Sequence, residues 1–484
     1  MKNLIRTAAV AWSLWSTSAL ASILIGTGET TITPDQPVAV SGQFGTRIAR
    51  KVESPCIATA VALERKSADG STEQAVMVSC DLVAIRDDIQ DQTRNKLKGR
   101  VPGLDLRKIF LSATHTHTGP VMREGVYKIP KEGVIQPREY VEFLTDQLSD
   151  LIEKTWKSRR PGAVSWGLGH AVVAQNRRRV LNNGTATMYG STKAGSFRNI
   201  EGYEDHGVEV LFFWNADKKR VAAAVNVACP AQEVESRSAV NADYWHETRL
   251  ALRKRFGKDL IVLAWIGAAG DQSPHLMWRK EAEARMLKAR GLTRLQEIAR
   301  RIAHGVEEAY EVAKDDLRED PTFTHRVNDV QLPRRMVTEE EHAAARKEIA
   351  SLKEQARTGR DTGRRQRWHQ ETVDRFLAQK TDKHFPMELH AIRLGDVAIC
   401  TNPFELFTDY GIRMKAWSKS TQTFVIQLAT SSGYYVATHK AVLGGGYSAI
   451  VNSNLVGPEG GDVLVDKTVD EINAMWETDG SGKK

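Results

Sequence analysis

The chain has 484 residues, 41% of them hydrophobic and 26% charged, with a formal net charge of +8 at pH 7. This is ordinary globular composition, with ample length for a large core. The basic residues are scattered apart from a dense spell at 357–367, and no RNA- or DNA-binding motif is present, so the composition argues for a solvated basic face and against a nucleic-acid partner.

The first 21 residues read as a removable signal. Lys2 and Arg6 form a positive start, residues 7–20 are mostly apolar, and Ala19-Leu20-Ala21 is an A-x-A cleavage site before Ser22. The apolar run is too short for a membrane span, and no later stretch reaches about 18 apolar residues. The expectation is a secreted or periplasmic protein without a transmembrane segment. Four cysteines, Cys56, Cys80, Cys229 and Cys400, lie in or beside apolar segments without CxxC spacing, which predicts single buried thiols rather than a disulfide scaffold.

Strands are expected at 38–42, 57–63 and 75–80, and a helix over 86–98 with Ile89, Thr93 and Leu97 on one face. A buried strand follows at 108–111. It runs into Leu111-Ser112-Ala113-Thr114-His115-Thr116-His117-Thr118-Gly119-Pro120, the stretch around which the rest is organised. In extended chain, residues two apart point to one side, so His115 and His117 aim two imidazoles at one place. A His-x-His pair taken alone fits structural histidines as well as metal ligands.

Pro137 opens an amphipathic helix that should stop at Pro161-Gly162, with strands returning at 163–167 and 169–173. Gln175–Arg179 reads as a basic, solvated turn. A hairpin follows, with strands at 209–214 and 221–228 that end in Cys229-Pro230. Residues 241–255 look helical and carry His246. The apolar strand 260–266 ends in Gly267-Ala268-Ala269-Gly270-Asp271-Gln272-Ser273-Pro274-His275, a small-residue turn of the kind at which α/β proteins place sites. Capping boxes at Thr293-x-x-Gln296 and Thr338-x-x-Glu341 open two further helical stretches. The second begins a charged helical insertion at about 338–382, read as a solvated outer hairpin with no chemistry. A hairpin through Leu394-Gly395-Asp396, a helix over 406–417 and a strand at 423–428 complete an α/β chain with a single large mixed-sheet domain over 22–484.

Five islands resemble, in order, the catalytic domain of the neutral (non-lysosomal) ceramidases. They are Ser112–Pro120 (S-x-T-H-T-H-x-G-P), Gly270-Asp271-Gln272-Ser273-Pro274 (G-D/N-x-S-P), Phe404-Glu405-Leu406-Phe407, Tyr435-Val436-Ala437-Thr438 (Y-V-T-T) and Tyr447 twelve positions after Tyr435. The resemblance implies a metallohydrolase-like domain: a zinc-dependent amidohydrolase that cleaves an N-acyl, ceramide-like bond. Zn2+ would be held by His115, Glu405 and Tyr435, with His117, Arg177, Tyr447, Asp271 and Ser273 as catalytic residues; Asp271 is the carboxylate expected to orient an imidazole. The family's second histidine ligand falls on Cys229. Thiolate is an acceptable zinc ligand, with Zn–S about 2.3 Å against about 2.0–2.1 Å for Zn–N. Cys229 is therefore the expected fourth ligand, with His246 or no ligand at all as alternatives. The C-terminal β-sandwich of full ceramidases is expected to be absent. The implied partner is a small N-acyl amide or lipid, with contact at a membrane surface. Two readings stand beside this one: a metallohydrolase of the same scaffold acting on an unrelated ester or amide such as an acylated sugar, and a metal-free ligand-binding relative.

Overall fold

In the computed structural model, residues 22–67, 69–86 and 88–477 are described. The expected signal segment lies outside them. Eight strands form the larger sheet: β1 (Leu24–Thr31), β2 (Ile57–Lys66), β3 (Thr72–Cys80), β4 (Ile109–Ala113), β5 (Arg160–His170), β6 (Gly207–Asn215), β7 (Arg220–Val227) and β8 (Ile261–Ile266), in the order β8-β7-β6-β5-β1-β2-β3-β4. The inner pairings are antiparallel, while both outermost pairs, β7 with β8 and β3 with β4, are parallel. Four more strands, β9 (Phe323–Pro333), β10 (His384–Leu394), β11 (Val397–Thr401) and β12 (Gln422–Ile426), make a second sheet in that order.

Period-2 alternation places the sheets. In β6, Val208, Val210, Phe212 and Trp214 meet the helices Tyr244–Phe256 and Arg294–Ala313. Leu211 and Phe213 turn the other way, into a core shared with Phe110, Leu263 and Trp265 of the first sheet and Ile392, Ile399 and Phe424 of the second. Helix Pro137–Lys157 covers the other half of the large sheet, and helices Thr408–Trp417 and Pro458–Glu477 cover the outer face of the second. The result is four layers, helix, sheet, sheet, helix, so the mixed α/β expectation holds.

Several expectations change. Residues 163–167 and 169–173 are not two strands: β5 runs unbroken from Arg160 through Pro161-Gly162, where Gly162 packs against the Trp214 carbonyl with no room for a Cβ. The Gln175–Arg179 stretch is not a solvated turn. It contains two short strands, and Arg177 and Arg178 are buried at 2% and 0% exposure. Strand β9 and helix Lys280–Arg290 were not anticipated. Both capping boxes form as expected. All four cysteines are free and buried. Among the described residues no helix is long and apolar enough to cross a membrane.

Candidate active site

Where β4, β8, β11 and β12 end, the two sheets come together. Ala113 donates from its backbone to the Leu428 carbonyl, Gln427 to Ile266 and Asn402 to Ile426. Beyond this seam the chain is bent rather than extended, with His115, Leu428, Thr430 and Tyr434 all at positive φ between 55° and 67°. Such residues sit in a sparsely populated region and persist only where their surroundings hold them. The two imidazoles therefore converge through a left-handed turn at His115, not through strand alternation. Their Nε2 atoms are 3.4 Å apart. The His117 ring lies over Gly42 (φ +100°), where a Cβ would collide with it.

The hydrogen bonds assign both tautomers. His115 Nδ1 is 2.5 Å from the Val83 carbonyl, which only accepts, so the proton is on Nδ1. Its Nε2 then faces Glu405 Oε2 at 3.2 Å. The contact is closed either by a second proton on Nε2, shared with the carboxylate, or by a cation held between the two. Gln232 Oε1 accepts from Arg177 Nη1 at 3.1 Å, so its amide nitrogen donates to His117 Nε2 at 2.8 Å. His117 Nδ1 lies 3.2 Å from Glu235 Oε2. Burial takes the His117 imidazole down to about 4, so it is neutral at pH 7.

Glu405 and Tyr435 reach the site as a pair. They are direct partners in a short parallel ladder, with Leu406 opposite Val436. Residues paired in register share a face, so carboxylate and phenol emerge side by side while Leu406 and Val436 enter the core. Burial alone would raise Glu405; the His115 imidazole, the Tyr435 hydroxyl and the Arg177 guanidinium reverse this and hold it at about 2. Burial and then Glu405 push the Tyr435 phenol well up. Arg177 Nη2 donates to Tyr435 Oη at 3.2 Å and to the Gly270 carbonyl at 2.9 Å. Tyr447 packs edge-on to Tyr435, ring centroids 6.0 Å apart, and burial pushes its phenol to about 12. Arg178 supports that loop from behind, pairing with Glu201 and donating to the Ala441 and Gly445 carbonyls at 3.1 and 2.8 Å.

Asp271 meets no imidazole. Its carboxylate accepts from the Thr408 backbone and hydroxyl at 2.9 and 2.7 Å and from Asn176 Nδ2 at 2.8 Å, and its carbonyl accepts from Arg177 N. It starts the helix Thr408–Trp417 and fixes the strand that delivers Arg177. Ser273 Oγ is 3.1 Å from Tyr189 Oη, which in turn accepts from Arg177 Nη1 at 3.2 Å. Ser273 is thus one residue removed from the cluster.

His115, His117, Glu405, Tyr435 and Tyr447 line one cavity, and Arg177 bonds to Tyr435 from behind it. Cys229 is not brought to it. Its thiol is fully buried among Val227, Ala228, Tyr244 and Trp245, with the Pro230 carbonyl 3.8 Å away as its polar contact, and burial pushes its pKa well up. His246 lines a separate depression with Glu233 and Asp243. Among the described residues no group of three or more His, Cys, Asp and Glu side chains is arranged to hold a metal; the third donor beside His115 and Glu405 is the Tyr435 phenol. Catalytic zinc needs three protein ligands and an open position, so this set fits a zinc without Cys229.

Sequence reasoning missed Gln232, Glu235 and Tyr189, and it missed the wall opposite. The helical insertion is a hairpin, Glu339–Arg357 and Gly363–Ala378, and its second helix contributes Arg364, Arg367, Trp368 and Glu371 to the cavity. Gln232 follows three residues after Cys229 in Cys229-Pro230-Ala231-Gln232. The sheet-end turn there presents the amide, not the thiol, to the site.

No protein-family model matches the sequence, and no curated protein matches it. Among solved structures the chain is similar to neutral ceramidase from Pseudomonas aeruginosa, at 17% identity and a TM-score of 0.68 over 95% of this chain and 75% of that one. It is also similar to a ceramidase complexed with C2, at 16% identity and a TM-score of 0.67 over 95% and 76% of the two chains. The chain therefore has the neutral ceramidase fold, as the five islands in its sequence imply.

Proposed function

We propose that the protein is an exported zinc-dependent amidohydrolase that cleaves an N-acyl, ceramide-like amide bond, with residues 22–484 as one catalytic domain. The observation that carries this reading is the convergence of His115, Glu405 and Tyr435 with His117, Arg177 and Tyr447 at one cavity of a ceramidase-like fold.

His115, Glu405 and Tyr435 would hold the zinc. When bound, such an ion polarises a carbonyl and lowers the pKa of a water molecule to about 7. The remaining work belongs to the chain. Tyr447, protonated at neutral pH, donates a hydrogen bond to the oxygen of the scissile carbonyl as negative charge develops there. Arg177 holds the Tyr435 phenol and stabilises charge behind it. His117 keeps its lone pair on Nε2. Once the Gln232 amide, which holds that lone pair at 2.8 Å, gives way, the imidazole takes the proton of the attacking water there and returns it to the nitrogen as the C–N bond breaks, releasing a carboxylic acid and an amine. Glu235 at Nδ1 stabilises the imidazolium in between.

The apolar part of the cavity wall, with Val83, Val121, Met122 and Val126, suits an acyl chain. The test is a panel of zinc-supplemented assays in which fatty-acid release is measured from N-acyl amides, a ceramide among them, and from an acylated sugar. Release from the amides at least tenfold faster is expected; hydrolysis of the acylated sugar alone would overturn the amide reading.

A further inference from the structure

The cavity carries more positive charge than the proposed chemistry uses. Four guanidiniums, Arg86, Arg123, Arg364 and Arg367, line it against two carboxylates, Glu371 and Glu405. Glu405 is already engaged by His115. Elsewhere in this protein arginines are mostly tied to carboxylates, as Arg249 is to Asp81 and Arg94 to Glu388. Among the described residues, three in this wall are not. Arg86 donates to the Ser432 hydroxyl at 2.8 Å, and Arg364 donates to the Tyr127 hydroxyl at 2.6 Å and to the Gln43 carbonyl, all neutral groups. Arg367 reaches over Gly125, and one carboxylate, Glu371, faces Arg367, Arg86 and Arg123 together without an ion pair to Arg367 or Arg86 among the described residues.

Local structure opposes this placement. Arg364, Arg365 and Arg367 sit in the first turns of helix Gly363–Ala378, which has no acidic residue in its first turn and no side-chain cap. Cations at a helix N-terminus oppose the macrodipole. The partner helix Glu339–Arg357 follows the usual rule, with Glu339, Glu340 and Glu341 in its first turn. Burial, with Arg123 and Arg364 acting the same way, holds Arg86 below its ordinary value although Tyr434 and Glu405 pull it up.

An unbroken set of ring contacts joins this wall to the proposed reaction centre. Tyr447 lies 5.7 Å from Trp368 and 6.1 Å from Phe44, centroid to centroid, and the Arg364 guanidinium lies 4.9 Å from the Phe44 ring. We infer that Arg86, Arg364 and Arg367 form an anion subsite beside the scissile bond, so that the preferred substrate is an N-acyl amide bearing a carboxylate, sulfate or phosphate close to the amide rather than a neutral one. Guanidinium forks suit such oxyanions, and the aromatic surface between takes the apolar part.

This inference rests on the amidohydrolase reading, and the experiment separates the two. N-lauroylglycine and N-lauroylethanolamine share an acyl chain and an amide and differ by carboxylate against hydroxymethyl. Both are measured for kcat/KM with zinc-loaded protein and, independently of turnover, for Kd by calorimetry. The expected result is at least a tenfold preference for N-lauroylglycine in both, cut at least tenfold in Arg364→Gln/Arg367→Gln. Should that double variant misfold by circular dichroism, Arg367→Gln alone should reduce the preference at least threefold. Equal turnover and equal binding of the two compounds overturn the anion subsite and leave the amidohydrolase reading standing. Selective binding of N-lauroylglycine without turnover of either overturns the hydrolase and leaves the subsite. Binding of neither compound overturns the subsite, as does a preference that survives both substitutions.

Discussion

Tyr447 is the residue whose proposed work is most separable from binding. Its phenol is protonated at neutral pH and sits beside Tyr435 without being one of the proposed ligands. Removing one donor to a developing oxyanion costs about 10²–10³ in kcat. Tyr447→Phe should therefore lower kcat by that order with KM nearly unchanged, as steady-state assays will read. Cys229 makes the opposite case. Its thiol is packed in the apolar core away from His115, so Cys229→Ala should keep the zinc content of the wild type while His115→Ala loses it, by elemental analysis of the purified proteins. Of the residues singled out from the sequence, His115, His117, Glu405, Tyr435 and Tyr447 share the cavity and Arg177 backs it. Each stands in an island whose neighbours are unusual in type, such as paired histidines or a triple glycine. Gln232 and Glu235 were invisible because an amide and a carboxylate in a polar turn look solvated. Only the fold shows that the turn after β7 bends onto His117.

At the scale of the elements, the short ladder of Glu405 with Tyr435 depends on a close approach from β8. Gly270 donates to the Leu406 carbonyl at 2.7 Å, and a Cβ on it would collide with the Glu405 carbonyl. Gly270→Ala should destabilise the protein by about 1–3 kcal/mol, as overpacking of a tight site does, and should lower activity by displacing Glu405; denaturant midpoints and turnover check this together. Apolar strands and capping boxes were legible because their signals are local: β8 is six apolar residues, and Thr293 and Thr338 sit three before Gln296 and Glu341. Strand β9 was not, because Thr-His-Arg-Val-Asn-Asp is polar on both faces and its buried His325 is satisfied by partners from other strands, the Gln74 carbonyl at 2.8 Å and His390 at 2.9 Å. Helices Glu339–Arg357 and Gly363–Ala378 fall in the charged stretch read as an outer hairpin with no chemistry. Its charge density argues for a solvated face, yet about two turns of the second helix, Arg364 to Glu371, face the cavity.

Across the whole molecule, acid stability should trace to the contact between helix Ile89–Leu97 and the second sheet. Glu388 on β10 accepts from Arg94 Nη2 at 2.6 Å and from His390 at 2.8 Å. Burial alone would raise its carboxyl, but His390 and Arg94 bring it to about 2. A carboxyl whose folded pKa lies below its unfolded value of 4.5 stabilises the fold above pH 4.5, and that contribution is lost as pH falls from 4.5 towards 2. Glu388→Gln should cost about 2 kcal/mol at pH 7 and flatten the loss of stability between pH 5 and pH 2, measured by denaturant unfolding across that range. The four-layer architecture matters to function because it brings four strand ends from two sheets to one seam, and the proposed site is built on what emerges there.

The measurement that tests the central claim most directly is fatty-acid release from an N-acyl amide by zinc-supplemented wild type beside Glu405→Gln. The substitution keeps the shape of the side chain and removes the charge that faces His115 at 3.2 Å. Hydrolysis by the wild type, reduced at least 100-fold in a Glu405→Gln protein of unchanged circular dichroism, is the predicted result. Equal rates in the two proteins, or no release by the wild type from any N-acyl amide, would contradict it.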